Sequence, residues 1–129
     1  MAKDVIIALD FPSGDKALDF LKDFKDEEVY VKVGMELFYK EGPSIIREIK
    51  KLGHKIFLDL KIHDIPNTCK GATNSLIALD VDMINYHIAG GKKMLSDASE
   101  IVKKEKSDLI TLGVTMLTST DEDVMHREL

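Results

Sequence analysis

The densest set of chemically capable side chains is Phe57-Leu58-Asp59-Leu60-Lys61-Ile62-His63-Asp64-Ile65-Pro66-Asn67-Thr68. Asp59 and Lys61 are two apart, so on a strand they point to the same side. Asp64 falls in the loop beyond. Further polar residues follow other apolar runs: Asp10, Lys32, His87 and Thr118. An unpaired buried charge is costly, so acids and lysines gathered in one place pair with each other or with a ligand. The chemistry they offer is electrostatic. The plainer reading of a lone Asp-x-Lys is a salt bridge, with Asp64 capping a helix that starts at Pro66.

The elements that position these residues alternate. Asp4–Asp10 reads as a strand ending in an acid, and Pro12-Ser13-Gly14-Asp15 as turn and helix-start chemistry. Ala17, Leu18, Leu21 and Phe24 recur at helical spacing. Val29–Gly34 is a second strand. Met35–Lys51 is helical with a break at Gly42-Pro43, Ser44 as a cap and Gly53 as the stop. Lys55–Lys61 is a third strand, and Pro66–Leu79 a helix with proline in its first turn. Met83–Ile88 is a fourth strand, Gly90-Gly91 a turn, Lys92–Lys104 a helix and Leu109–Met116 a fifth strand. Thr120–Leu129 opens another helix with acids in its first turn.

Strands and helices in alternation predict an α/β fold with a parallel sheet and helical crossovers, as one domain over residues 1–129. Strand C-termini in such folds converge on one face, where ligands bind. Two architectures fit. One is a five-stranded flavodoxin-like sheet. The other is a partial (β/α)8 TIM barrel of about five βα units, a whole barrel needing about 250 residues. The 129-residue length favours the first and the motifs favour the second.

A hydrophobic content of 44%, a charged content of 32% and a net charge of −5 describe a globular chain with no basic run for nucleic acid. Lys103-Lys104 reads as a solvated helix end. No apolar stretch approaches the roughly 18 residues of a membrane span, and the N-terminal run is too short for a signal peptide. The single cysteine, Cys69, cannot form an intramolecular disulfide. These features predict a cytoplasmic protein that contacts neither nucleic acid nor membrane.

The string Asp-x-Lys-x-x-Asp-Ile-Pro-Asn-Thr at Asp59–Thr68 resembles the signature of the orotidine 5′-monophosphate decarboxylases of bacterial type. Ile7-Ala8-Leu9-Asp10, Lys32-Val33-Gly34 with Phe38, Asn85-Tyr86-His87 with Gly90-Gly91, and Val114-Thr115-Met116-Leu117-Thr118-Ser119 agree in order and spacing. The resemblance runs over essentially the whole chain. It implies loss of CO2 from orotidine 5′-monophosphate to give uridine 5′-monophosphate, in de novo pyrimidine synthesis, with no metal and no organic cofactor. The protein must then stabilise a C6 carbanion electrostatically. Carried over by resemblance, Lys61 is the proton donor to C6, and Asp59 faces the departing carboxylate. Lys32 and Asp64 complete an alternating charge network that reaches the ribose. Asp64, Ile65 and Thr68 project into the site of a neighbouring subunit, which implies a homodimer. Asp10 resembles the ribose-binding acid and Thr118 a pyrimidine contact.

The remaining candidates carry plainer readings. His63 is a loop residue packing locally, and His87 makes a structural hydrogen bond at the barrel mouth. His54 and His126 lie on the surface. The four histidines show no metal spacing. Cys69 is a small core residue rather than a nucleophile. Gly90-Gly91 is weak evidence for a phosphate loop.

The family's later strands, which the resemblance implies carry the phosphate-binding loops and an arginine, have no counterpart in these 129 residues. Binding energy from a remote phosphate organises such sites. Weak or absent turnover by this chain alone is therefore expected, together with recruitment of the missing C-terminal half or a second copy. Two other readings compete: a non-catalytic partial-barrel folding or assembly module, and a related sugar-phosphate barrel enzyme. The full Asp64-Ile65-Pro66-Asn67-Thr68 run disfavours the last.

Overall fold

In the computed structural model, which describes residues 4–128, five strands form one sheet. They are β1 (Ile6–Ala8), β2 (Tyr30–Gly34), β3 (Lys55–Ile62), β4 (Met83–His87) and β5 (Ile110–Val114). Every pairing is parallel, and the spatial order is β1-β2-β3-β4-β5. A flavodoxin-like sheet reverses its order at a switch point. Here each strand lies beside its predecessor, so the sheet is a stretch of (β/α)-barrel wall and the flavodoxin-like alternative is set aside.

The helices are α1 (Gly14–Leu21), α2 (Met35–Glu41), α3 (Pro43–Lys51), α4 (Pro66–Ile77), α5 (Gly91–Glu105) and α6 (Glu122–Arg127), with 3-10 turns at Lys22–Phe24 and Ile88–Gly90. Ser13 caps α1, its hydroxyl accepting from the Lys16 amide. Proline stands at the first turn of both α3 and α4, where its missing N–H costs nothing. Gly53, at φ +86°, takes the left-handed conformation just past α3, and its N–H reaches the Lys50 carbonyl at 2.9 Å. Ser44 is not the cap anticipated for α3. Its hydroxyl donates to the Glu41 carbonyl at 2.7 Å, closing the end of α2 instead.

Parallel register sorts the side chains into rows. Val33, Leu58 and Ile84 are paired in one row, and all are fully buried towards the helices. Ile45, Ile46 and Ile49 of α3, and Met94 and Ala98 of α5, belong to the same apolar cluster. Each fully buried aliphatic side chain there contributes about 1.5–3 kcal/mol. The opposite face carries the row Lys32, Phe57, Met83 and Ile110. This face is the inner wall, and it is partly open: Ile110 and Leu112 of β5 are exposed.

His54 departs from the surface position expected of it. It follows Gly53 directly, and β3 draws it inward to 2% exposure. Its Nδ1 accepts from the Val29 amide at 3.3 Å, while its Nε2 has no partner among the described residues. Burial pushes its pKa down, against the opposing pull of Glu28. His126 is exposed beside Glu122, as expected. The Lys103-Lys104 pair lies exposed in the last turn of α5. Leu129, the end of the helix anticipated over 120–129, lies outside the described residues.

Tyr30 is buried with its hydroxyl unpartnered among the described residues, and burial, with Asp82 and Asp4, pushes that phenol up to about 12. An unsatisfied buried hydroxyl stabilises nothing. Tyr30→Phe is therefore expected to leave the melting temperature at pH 7 unchanged or slightly higher. A phenol whose folded-state pKa is raised loses stability as pH climbs from its unfolded value near 10 towards about 12. The variant is expected to lose less stability over that window; a melting temperature several degrees lower at pH 7 would refute the assignment.

Candidate active site

The site begins with an irregularity in β3. Leu58 pairs with Ile84 and Ile62 pairs with Tyr86, so Asp59, Leu60 and Lys61 all face the single residue Asn85. The surplus is taken up by a bulge, in which Lys61 adopts φ +49°, a left-handed conformation that costs a non-glycine residue roughly 1–2 kcal/mol. Sequence spacing had placed Asp59 and Lys61 on one side by regular alternation. They do meet, across a segment that is bulged rather than regular. Lys61 Nζ lies 2.6 Å from Asp59 Oδ1.

A line of alternating charge results. Asp10, just past β1, accepts from Lys32 Nζ at 3.1 Å. Lys32, on β2, also lies 3.8 Å from Asp59 Oδ2. Asp59 is paired to Lys61, and its Oδ1 accepts a further bond from Asn85 Nδ2 at 2.7 Å. Burial pushes the Asp59 carboxyl up, but hydrogen bonds from Lys61 and Asn85 and the charges of Lys61 and Lys32 outweigh it and hold the group below the usual carboxylate range. Asp59 is the most enclosed of the four side chains and Asp10 the most open, at 13% and 69% exposed.

A cleft of about 180 Å³ lies over Asp10, Lys32, Asp59 and Lys61. Gly34 leaves its wall bare, since a Cβ there would stand 3.5 Å from Lys32 Nζ and 3.9 Å from Asp10 Oδ1. The arrangement can present a low-pKa carboxylate and two ammonium groups to a charged ligand in a half-buried setting, where such charges act more strongly than in water. Among the described residues no three His, Cys, Asp or Glu side chains gather closely enough to hold a metal ion.

The other sequence candidates lie elsewhere. Asp64 forms no ion pair with this line among the described residues. Its Oδ1 accepts from the next amide, Ile65 N–H, at 2.7 Å, and its carbonyl accepts from the Cys69 thiol. It therefore does not cap α4, which begins without a side-chain cap. Ile65 and Thr68 are exposed beside it. Asp64 and Thr68 border a groove of about 730 Å³ that also reaches Phe38, Tyr39 and Lys61. Thr118 is exposed in the loop between β5 and α6 and does not line the cleft.

His87 packs its ring against His63, centroids 5.5 Å apart, where a structural hydrogen bond had been expected. Cys69 is buried, and burial pushes its thiol up, consistent with a core residue. Gly90 and Gly91 have structural reasons to be glycine: a Cβ on Gly90 would collide with the Met94 sulfur, and Gly91 stands at φ +87°.

Two residues went without a role in the sequence reading. Asn85 is 3% exposed and joins Asp59 to the Lys61 backbone, its Oδ1 accepting from Lys61 N–H at 2.8 Å. Tyr86, pointing the other way, hydrogen-bonds Thr73 of α4 at 2.7 Å. An amide in the otherwise apolar start of Met83-Ile84-Asn85-Tyr86-His87 was the available signal, because a buried amide requires partners.

The distances rank the two lysines. Lys61→Met is expected to raise the Asp59 titration midpoint more than Lys32→Met, since Lys61 bonds Asp59 at 2.6 Å and Lys32 stands at 3.8 Å. Carbon-detected NMR titration of the Asp59 carboxyl measures both. The reverse order would contradict this geometry.

The profile of the orotidine 5′-phosphate decarboxylase / HUMPS family matches residues 3–129. An orotidine 5′-phosphate decarboxylase of Bacillus cytotoxicus is 54% identical over an alignment covering 100% of this chain and 56% of that protein. The chain thus spans little more than half the length of the curated relatives it matches. A crystal structure of an uncharacterized conserved protein from Geobacillus kaustophilus superposes with a TM-score of 0.92 at 46% identity, covering 95% of this chain and 59% of that one. The orotidine 5′-phosphate decarboxylase structure from Lactobacillus acidophilus gives 0.87 at 37% identity, covering 98% and 59%. With the β1–β5 barrel wall and the charged line on its strand ends, these matches place the chain in the orotidine 5′-phosphate decarboxylase / HUMPS family.

Proposed function

We propose that this chain supplies the charged part of a site that decarboxylates orotidine 5′-monophosphate to uridine 5′-monophosphate. The carrying observation is the Asp10–Lys32–Asp59–Lys61 line at the strand C-termini. In this reading the substrate carboxylate faces Asp59, and two like charges raise the energy of the bound ground state. The C6–carboxylate bond breaks, its electron pair stays on C6, and CO2 departs. Lys61, hydrogen-bonded to Asp59, stabilises that pair and then delivers an N–H proton to C6, to be reprotonated from solvent. Fixed charges of this kind need no reorganisation during the reaction. Asp10 and Lys32 hold the ribose side. No metal or organic cofactor takes part.

Asp64, Ile65 and Thr68 are proposed to act in a second copy of the chain rather than in their own. Supporting this, Asp64 is separate from its own charged line, Tyr39 and Met35 are exposed apolar groups lining the neighbouring groove, at 66% and 45%, and Ile65, next to Asp64, is 67% exposed. Thr118 is assigned to the pyrimidine. A soluble site within the cytoplasm fits this metabolic role, and no helix among the described residues is long and apolar enough to cross a membrane. Because the relatives are nearly twice as long, turnover by the 129-residue chain alone is expected to be weak or nil until the rest of a barrel is supplied.

Loss of orotidine 5′-monophosphate absorbance is the direct assay, run on this chain with and without a separately supplied C-terminal barrel half. Lys61→Ala is expected to abolish whatever turnover is found while largely retaining the fold. Turnover near the parent rate in that variant would sink the role of Lys61. Where turnover is absent throughout, a titration with uridine 5′-monophosphate is expected to shift Lys32, Asp59 and Lys61 resonances, and their silence at millimolar nucleotide would count against the assignment. Sedimentation tests the pairing of copies: Ile65→Lys is expected to favour monomer, and an unchanged distribution would remove Ile65 from the interface.

A further inference from the structure

We propose that Asn85 is the positioning residue of this site: it binds one oxygen of Asp59 and the backbone N–H of Lys61, and so leaves the other Asp59 oxygen, Oδ2, as the one presented to the ligand. The proposal rests on the reading of Asp59 and Lys61 as the reactive pair.

Three observations converge on it. The two oxygens of Asp59 are not equivalent. Oδ1 accepts from Lys61 Nζ at 2.6 Å and from Asn85 Nδ2 at 2.7 Å, whereas among the described residues Oδ2 has only Lys32 at 3.8 Å, beyond hydrogen-bond reach. A carboxylate held by one donor can rotate about its Cβ–Cγ bond and exchange its oxygens; two donors on one oxygen oppose that rotation. Secondly, the orientation of the Asn85 amide is fixed by its partners. Lys61 N–H can only donate and the Asp59 carboxylate can only accept, so Oδ1 faces the former and Nδ2 the latter. Thirdly, Asn85 replaces the ladder that the bulge interrupts. Three β3 residues stand opposite it, and its side chain supplies the acceptor for Lys61 N–H at the residue whose φ is +49°. One buried amide therefore sets both the carboxylate rotamer and the backbone from which the Lys61 side chain departs. Neither Lys32 nor Asp10 does this: Lys32 lies 3.8 Å from Asp59 Oδ2, and Asp10 pairs with Lys32 instead.

The test uses NMR on the 129-residue chain, independent of turnover. In Asn85→Ala the Asp59 carboxyl midpoint is expected to rise, because a bond that lowers it is gone. Exchange of the Lys61 amide is expected to quicken roughly tenfold, the size of one lost hydrogen bond, with the Ile84 and Tyr86 amides unchanged. A purely structural role would instead loosen all β4 amides together. Asn85→Asp preserves volume and the acceptor for Lys61 N–H but sets a second carboxyl against Asp59. There the Lys61 amide stays protected while carboxyl titration moves upward. An Asp59 midpoint and Lys61 exchange identical to the parent in Asn85→Ala overturn the proposal; should that variant not fold, an unmoved Asp59 midpoint in Asn85→Asp overturns it.

Turnover separates this proposal from the reading beneath it. In whichever form decarboxylates, Asn85→Ala is expected to lower kcat on the order of 100-fold, as small misplacements of reacting groups do, with little change in KM. Full turnover in Lys61→Ala would dismiss the reactive pair and leave the NMR result for Asn85 standing.

Discussion

Asp59 is a carboxylate drawn largely out of water, and the geometry of this protein follows from keeping it ionised there. Burial alone favours the neutral acid. The opposing forces come from three strands: Lys32 from β2, Lys61 from β3 itself and Asn85 from β4. Asp10, at the end of β1, balances the far side of Lys32. A parallel sheet in which consecutive strands are neighbours brings all four ends to the same corner. The strand order β1-β2-β3-β4-β5 thus serves the charge arrangement as well as the fold.

The same strands serve two faces with different needs. Towards the helices, Val33, Leu58 and Ile84 form an apolar row without exposure. That packing holds the strands rigidly enough for the opposite face to carry charge at fixed separations. Between them lies the bulge, where regular pairing is given up over Asp59, Leu60 and Lys61. Departures of this kind persist only where surrounding structure over-determines them. Here the buried rows on either side and the Asn85 amide do so.

Much of this was legible in the sequence. The five strands, the intervening helices and the convergence of Asp10, Lys32, Asp59 and Lys61 follow from apolar runs closed by charged residues. The family resemblance resolved what length obscured, namely barrel wall against flavodoxin-like sheet. What could not be read depended on partners distant along the chain. The bulge is a relation between β3 and β4, and the Asn85 bond to Lys61 spans 24 positions. His54 was expected on the surface, yet the start of β3 carries it under the Val29 segment. Ser44 had the chemistry of a cap, but Gly42 had already taken that position, leaving its hydroxyl to close the preceding helix.

Consecutive residues of β4 grip the segment that carries most of the candidate chemistry, one from each side. Asn85 holds its beginning from within the sheet, and Tyr86, through Thr73, holds the helix at its end from without. Side chains on a strand alternate, so a slip of one residue in β4 would exchange the two. The phenol would enter the charged cleft and the amide would be thrust among the aliphatic side chains, satisfied in neither place. A misregistered β4 is therefore not a nearly correct protein. The error is penalised on both faces at once, and the strand acts as the proofreader of the site beside it.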